Sequence, residues 1–488
     1  MKKRSVAMML AAMMAMSLAG CGGSGKDSKS VKLDPDHPVS LTIWHYYNGA
    51  QQAMFDTLVK EFNATVGKDE GIYVEGYSQG SVSDLEQAVT SSLNGEVGAD
   101  ELPDIFSSYA DTAYAVQQED KLADLSQYFT EDELSKYVDS YIQEGYFNQD
   151  GALYFFPVAK STEITMLNKT DWEPFAEATG TTVDELATTE GITQVAQKYY
   201  EWTDAQTPDI PDDGKAFYGR DSMSNYFIIS MKQMGKELFQ VKDGKVTFNT
   251  DKELIRRIWD NYYVPFMKGY FTSLGKFRSD DVKTGDVIAY TGSTSSAVYF
   301  PDSVETEDSS YPIEYIEYEA PVMEGGEKVQ VQQGAGMAIT KSDETHEYAA
   351  SEFLRWFTQK EQNLRFVCES SYMPVLKEAN SQEALDEVIK DNDIEINQKV
   401  YDCFKIEMES FDKTSFYTPG NFANGYSTRK VLDYSLSDKA KADKAALDEA
   451  VAGGQSKEEA LAQYLTDENF DSWYEEFCSS LNAAAANS

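Results

Sequence analysis

The chain has 488 residues, with 83 Asp and Glu against 42 Lys and Arg, a formal net charge of −41. That balance excludes binding to a phosphate backbone, which needs a cationic surface to displace counterions, and it disfavours docking on anionic lipid. A hydrophobic share of 41% with 13% aromatics excludes a disordered chain despite the charge, and the length allows two or more domains.

Lys2, Lys3 and Arg4 precede a mostly apolar run over residues 6–18. That run is too short to cross ~30 Å of hydrocarbon at about 1.5 Å per residue, and it suits a secretory leader. It ends in Leu18-Ala19-Gly20-Cys21, small residues before a cysteine, which resembles a bacterial lipobox. The resemblance implies cleavage after residue 20 and acylation of Cys21, with palmitate the expected kind of chain. Residues 21–30 read as a flexible Gly- and Ser-rich tether spanning on the order of 15–20 Å. No later segment approaches about 18 consecutive apolar residues. The folded part is therefore expected outside the cell, held to the membrane by lipid on Cys21.

The folded body begins near Val31. Residues 39–44 read as a strand, broken by Tyr46, Tyr47, Asn48 and Gly49. A helix follows with Met54, Phe55, Leu58, Val59, Phe62 and Val66 at helical spacing, then a strand over 72–77, a helix over 83–93 and a strand opening at Pro103. Strand, helix, strand, helix, strand predicts a parallel α/β sheet. Ligands of such sheets sit at the carboxyl ends of strands, which directs attention to the loops after Trp44 and Phe106. Further on, 153–158 and 163–167 are strand-like, 191–202, 225–239 and 252–268 are helical, and 287–290, 313–318 and 329–340 are strand-like. Beyond about 345 the chain is mostly helical. Residues 433–452 read as a solvent-facing helix, and 482–488 as a fraying end.

Four segments in order carry a resemblance. They are Leu41-Thr42-Ile43-Trp44-His45-Tyr46 before a helix ending Glu61-Phe62-Asn63; Leu102-Pro103-Asp104-Ile105-Phe106 before Lys121-Leu122-Ala123-Asp124-Leu125; Leu153-Tyr154-Phe155-Phe156-Pro157 before Met166-Leu167-Asn168-Lys169-Thr170; and Gly334-Ala335-Gly336-Met337-Ala338-Ile339 through 349–354 to Tyr372-Met373-Pro374-Val375. Together, over roughly 38–380, they resemble the extracellular solute-binding proteins of bacterial ABC importers, the sugar-binding, maltose-binding-protein-like class. The resemblance implies an α/β, two-lobe, periplasmic-binding-protein-like fold with a hinge of crossing strands and an interlobe cleft. By analogy the first lobe is 31–157 with 285–330, and the second is 158–284 with 331–488. Closure of the lobes on a solute, a Venus-flytrap motion, biases a pre-existing equilibrium, and the closed form meets ABC permease subunits in the membrane. The implied solute is a mono- or oligosaccharide, and the implied protein is a monomer with no cofactor.

A sugar presents apolar C–H faces and a rim of hydroxyls, so its site needs aromatic rings and planar polar groups. Trp44, His45, Tyr46 and Tyr47 offer both at a strand end, although part of this run also suits a core. Tyr109 and Asp111 follow the third strand, where a helix cap is the other reading. Lys160 and Glu163 lie past the first hinge and are expected to pair with each other or with a ligand. Ser293, Thr294 and Ser295 can bind a hydroxylated ligand or cap a helix. Gln333 lies on the last crossing and Tyr372 in a late loop. Trp202 is a stacking platform, and Arg220 or Arg278 suits either a solute carboxylate or a structural Asp.

No catalytic residue is singled out. The three histidines and four cysteines fall in no metal-ligating spacing, and Cys368, Cys403 and Cys478 do not make a disulfide framework. Residues 292–296 lack the G-x-S-x-G spacing of a hydrolase nucleophile, and Gly334 and Gly336 form no dinucleotide motif. The leading reading is a non-enzymatic solute-binding lipoprotein. The alternatives are a surface-anchored glycoside hydrolase, which needs two carboxylates ~5–10 Å apart across a cleft, and a module that presents a ligand to a membrane sensor.

Overall fold

The computed structural model describes residues 28–147, 151–242, 244–307, 309–334, 336–411 and 413–486. The expected leader, Cys21 and most of the expected tether lie outside these residues. Among the described residues, fifteen strands run in chain order. They are β1 Val39–His45, β2 Ile72–Ser78, β3 Ile105–Ser108, β4 Phe156–Pro157, β5 Glu163–Asn168, β6 Tyr218–Arg220, β7 Phe239–Lys242 and β8 Lys245–Phe248, then β9 Ala289–Ser293, β10 Ser303–Glu305, β11 Ser310–Pro312, β12 Tyr315–Glu319, β13 Val329–Val331, β14 Gly336–Ile339 and β15 Ser415–Tyr417.

The first sheet has the order β2-β1-β3-β14-β4. β2 buries Ile72 and Val74 and exposes Tyr73, the alternation of a strand with one wet face. β1 pairs in parallel with both β2 and β3, so their carboxyl ends lie side by side. The helix Gly49–Ala64 buries Phe55, Leu58, Val59 and Phe62 beneath this sheet, three or four residues apart as one helical face requires. The helix Val82–Leu93 opens on a capping box between Ser81 and Asp84, which satisfies two otherwise orphaned amides.

The second sheet has the order β12-β5-β9-β6. Its presence corrects the expected lobe boundaries. Residues 285–330 do not return to the first lobe, because β9 pairs with β5 and β6 and β12 pairs with β5. Conversely, 331–488 is not all second lobe. β14 lies between β3 and β4, antiparallel to both. All four residues of β14 are buried, as a central position demands. Phe353, Leu354, Phe357 and Phe366 from the helices Glu344–Phe357 and Lys360–Ser370 join the core of the first lobe. The chain thus crosses near 158–162, back near 332–334, and again through the helix Gln398–Phe411. That helix shares its faces, with Phe404 in the first-lobe core and Cys403 in a smaller core against Ile164, Met166 and Tyr290.

The first two crossings run together as a hinge. Ser161 and Gln333 exchange backbone hydrogen bonds of 2.9 and 3.0 Å, and Lys160 pairs with Met373. Gly334 has φ +92°, and a Cβ there would lie 2.9 Å from the Ala159 carbonyl oxygen, so this close approach needs glycine.

Two further expectations change. The segment 433–452 is not solvent-facing throughout. It belongs to the helix Gly425–Ala452, which buries Leu432, Leu436, Ala440 and Leu447 against the helices Met223–Gln233, Tyr263–Lys268 and Asp467–Ala486. The last of these stays helical to Ala486 rather than fraying from 482. Among the described residues, Cys368, Cys403 and Cys478 are unpaired.

Candidate functional site

The loops after β1 and β3 open on the side where the second lobe faces the first. There a cavity of about 280 Å³ is lined from the first lobe by Glu86, Tyr109 and Asp111, and from the second by Asn225, Arg429 and Asp433, with Gln333 of the hinge between them. It joins a larger trough of about 860 Å³ walled by the rings of Tyr114, Tyr146, Phe147, Phe416 and Tyr417. Both are bordered by Glu144, Gln332, Thr418, Pro419 and Asn421. The cleft therefore has a charged, hydrogen-bonding chamber at one end and an aromatic trough at the other.

Contacts between described residues cross the cleft, and Asn421 Nδ2 donating to the Glu144 carbonyl at 3.5 Å is one of them. Arg429 Nε donates to Asp111 Oδ2 at 2.8 Å, and the hydroxyls of Ser83 and Tyr426 lie 3.4 Å apart. The turn between β7 and β8 meets Tyr114, where a Cβ on Gly244 (φ +70°) would lie 2.5 Å from the tyrosine oxygen. Arg429 sits one turn into the helix Gly425–Ala452 and Asp111 in the first turn of the helix Ala110–Gln118. The same pairing needs a bare backbone at Gly425, where a Cβ would lie 2.7 Å from Asp111 Oδ1.

The floor of the chamber is a polar network on the hinge. Glu144 Oε2 accepts from Lys160 Nζ at 2.6 Å and from Gln332 Nε2 at 2.8 Å. Asn225 Nδ2 donates to Glu163 Oε1 at 3.1 Å and to Gln333 Oε1 at 2.9 Å, while Gln333 Nε2 donates to the Thr162 carbonyl at 3.0 Å. Arg220 pairs with Glu163 from behind. Burial pushes the Glu86 carboxyl up to about 7, helped by repulsion from Asp111 and opposed by Thr112, Tyr426 and Lys430. Burial likewise raises Asp433, whose carboxylate accepts from the Ser224 amide at 2.8 Å.

Of the residues singled out from sequence, Tyr109, Asp111 and Gln333 line the chamber. Lys160 and Glu163 lie beneath it, paired with Glu144 and Arg220 rather than with each other. Tyr46 and Tyr372 meet through their hydroxyls at 3.2 Å. Ser293 Oγ accepts from the Ser295 amide, and Thr294 Oγ1 from the Thr162 amide, so this run acts as a cap beside the hinge.

Several are structural. Trp44, His45 and Tyr47 are buried, and Trp44 and Tyr47 belong to the first-lobe core. The His45 ring stacks on Tyr47 and meets Phe55 edge-on, and burial lowers its pKa to about 4. Trp202 packs on Phe175 and Tyr199 and lines neither cavity. Arg278 is held by Asp281 and Asp221. The Tyr47→Ala variant is therefore a core deletion, expected to cost about 3–5 kcal/mol in urea unfolding.

The reading from sequence missed Glu86, Glu144, Asn225, Tyr426, Arg429, Lys430 and Asp433, and the rings of the trough. One signal pointed to part of this set. The Gly- and Asn-rich run 420–425 marks a turn feeding a helix, and the chamber's cations stand on the first turns of that helix.

A family model for bacterial extracellular solute-binding proteins matches residues 57–396. No curated protein matches the chain significantly by sequence. Among solved structures, the cyclic alpha-maltosyl-1,6-maltose binding protein of Arthrobacter globiformis is 18% identical, with a TM-score of 0.65 over 92% of this chain and 100% of that one. UgpB from Mycobacterium tuberculosis, in complex with glycerophosphocholine, is 15% identical with a TM-score of 0.64 over 91% and 98%. The maltose/maltodextrin-binding domain MalE from Bdellovibrio bacteriovorus, bound to maltotriose, is 13% identical with a TM-score of 0.60 over 90% and 99%.

Proposed function

Because the chain belongs to the bacterial extracellular solute-binding proteins, we propose that it captures a mono- or oligosaccharide outside the cell by lobe closure and passes it unaltered to an ABC permease in the membrane. In this reading it works as a monomer, lipid-anchored through Cys21, and performs no turnover.

The observation that supports the reading best is the division of the cleft. The rings of Tyr114, Tyr146, Phe147, Phe416 and Tyr417 offer stacking faces for sugar C–H surfaces. The neighbouring chamber offers Asp111, Asn225, Gln333 and Arg429 to the hydroxyl rim. Named ligands among the structural neighbours include cyclic alpha-maltosyl-1,6-maltose and maltotriose. Binding on both walls stabilises the closed form over the open one, which is the only way a ligand shifts such an equilibrium.

A thermal-shift panel of neutral saccharides, glycerophosphocholine and peptides tests this, since a ligand that binds only the folded state raises the melting temperature by mass action. A saccharide is expected to raise it and to be recovered chemically intact. Asp111→Ala is expected to weaken binding by roughly tenfold or more, because it removes an acceptor and leaves Arg429 unpaired. A shift given by peptides alone, or recovery of a cleaved sugar, would overturn the reading.

A further inference from the structure

The chamber is lined by four carboxylates, Glu86, Asp111, Glu144 and Asp433, against two cations, Arg429 and Lys430. Two of the carboxylates have dedicated cationic partners. Asp111 pairs with Arg429, and Glu144 with Lys160 from below. Asp433 receives the Ser224 amide. Glu86 stands apart. It is 95% buried, being 5% exposed. Its Oε1 accepts the Thr112 hydroxyl at 3.2 Å, the Tyr426 hydroxyl and Lys430 act on the carboxyl from the opposite wall, and among the described residues its Oε2 has no hydrogen-bond partner. Glu86 lies on the helix Val82–Leu93, on the chamber wall facing the second lobe.

A buried carboxylate lacking a full set of donors is costly, and a protein relieves that cost by protonating the group or by supplying a donor. The first-lobe wall supplies the single Thr112 hydroxyl. On the opposite wall, Lys430 lies over the Tyr426 ring at 4.3 Å, the Tyr426 hydroxyl stands 3.4 Å from that of Ser83, and both side chains favour the ionised Glu86 without filling the place beside its free oxygen. A solute entering between these walls can complete the set.

We propose that Glu86 is a specificity-determining residue that selects a saccharide carrying a protonated amine, with the ammonium group seated against Glu86 and acidic saccharides rejected. The proposal rests on the carbohydrate reading of the cleft and narrows it. An ammonium supplies three donors and a positive charge, so it satisfies the free oxygen and balances the surplus of carboxylates. A solute carboxylate in the same place would face Glu86, Asp111 and Asp433 together.

The same burial that raises the Glu86 carboxyl leaves part of the population protonated near neutrality. An arriving ammonium favours the ionised form, so binding must release a proton. A neutral sugar accepted through a hydroxyl has no such requirement.

The test compares a glucosamine disaccharide, its neutral glucose counterpart, a galacturonic acid disaccharide and choline, at pH 7, by isothermal titration calorimetry on the full chain. Titrations in two buffers of different ionisation enthalpy count the protons. The amino-disaccharide is expected to bind roughly tenfold or more tightly than the neutral one, to release protons, and to lose both properties in Glu86→Gln. The apo melting temperature of that variant should equal or exceed that of the parent. Equal affinity for the amine and neutral sugars, unchanged in Glu86→Gln, would overturn the proposal and leave the carbohydrate reading standing. Glu86-dependent binding of choline with no saccharide bound would keep the cation subsite and overturn the carbohydrate reading. Binding of the galacturonic acid disaccharide as tight as that of the amine would also overturn the proposal.

Discussion

Replacing Lys160 by alanine is expected to destabilise the protein by about 3–5 kcal/mol, the cost of breaking a buried ion pair from one side. Lys160 is fully buried, with its ammonium 2.6 Å from Glu144 Oε2 and 3.3 Å from the Gly334 carbonyl oxygen. It also lies over the Phe155 ring at 5.5 Å. Its backbone is pinned on the hinge, donating to the Met373 carbonyl at 3.0 Å and accepting from the Met373 amide at 2.5 Å. Loss of the side chain leaves the Glu144 carboxylate, 6% exposed, with Gln332 as its nearest remaining donor. Urea denaturation measures the loss. The double variant Lys160→Met with Glu144→Gln should recover most of it, because the charge goes with its partner. A single variant as stable as the parent would mean that water reaches Glu144 freely.

Raising the pH from about 5 to 8.5 is expected to lower stability by on the order of 3 kcal/mol through Glu407, with Glu317 acting in the same direction. Both carboxyls are buried, and burial pushes each up to about 8. Glu407 faces Thr294 and Glu317, with Tyr141 and Cys403 nearby. Glu317 faces Asp402, which adds to the rise, and Lys399, which opposes it. Among the described residues, neither Glu317 oxygen has a hydrogen-bond partner, and neither does Glu407 Oε1.

The folded-state values lie above the unfolded ones. The folded protein therefore keeps protons that the unfolded chain has already released, and stability falls as pH rises through this window. His45 acts with the opposite sign. Its folded value is depressed to about 4, so stability falls as pH drops below about 6.5. Melting temperatures from pH 5 to 8.5 should decline in the parent and decline less in Glu407→Gln, with the variant more stable at the alkaline end. A parallel decline in both would show that Glu407 ionises freely in the fold. Because Glu407 stands on the helix shared by both lobes, the same series on ligand-bound protein reads whether its ionisation also loosens the hinge.

The first sheet was legible because its elements carry their own periodicity. Leu41 and Ile43 of β1, Ile72 and Val74 of β2, and the Phe55–Phe62 stripe between them each announce a face. The lobe assignment of β9 and β14 was not legible. A short, fully buried strand has no wet face to mark a side, and its sheet is decided by partners remote in sequence. Among the residues that line the chamber, Tyr109 and Asp111 were legible because they follow a recognisable strand end. His45 and Tyr47 were read as candidates by the same logic, yet His45 at the end of β1 turns inward onto Phe55, and Tyr47 in the loop after it turns inward onto Phe55 and Phe366.

The amino-acid sequence by itself determined the acidic charge balance, the α/β class and the strand and helix order of the first sheet, because charge and periodicity are local properties. Tertiary structure alone decided that Arg429 answers Asp111, that Glu144 answers Lys160, and that Glu86 is left without a full set of donors. Those pairs join segments separated by a lobe, a hinge crossing or a helix. A buried charge is satisfied only by what the folded chain brings to its side.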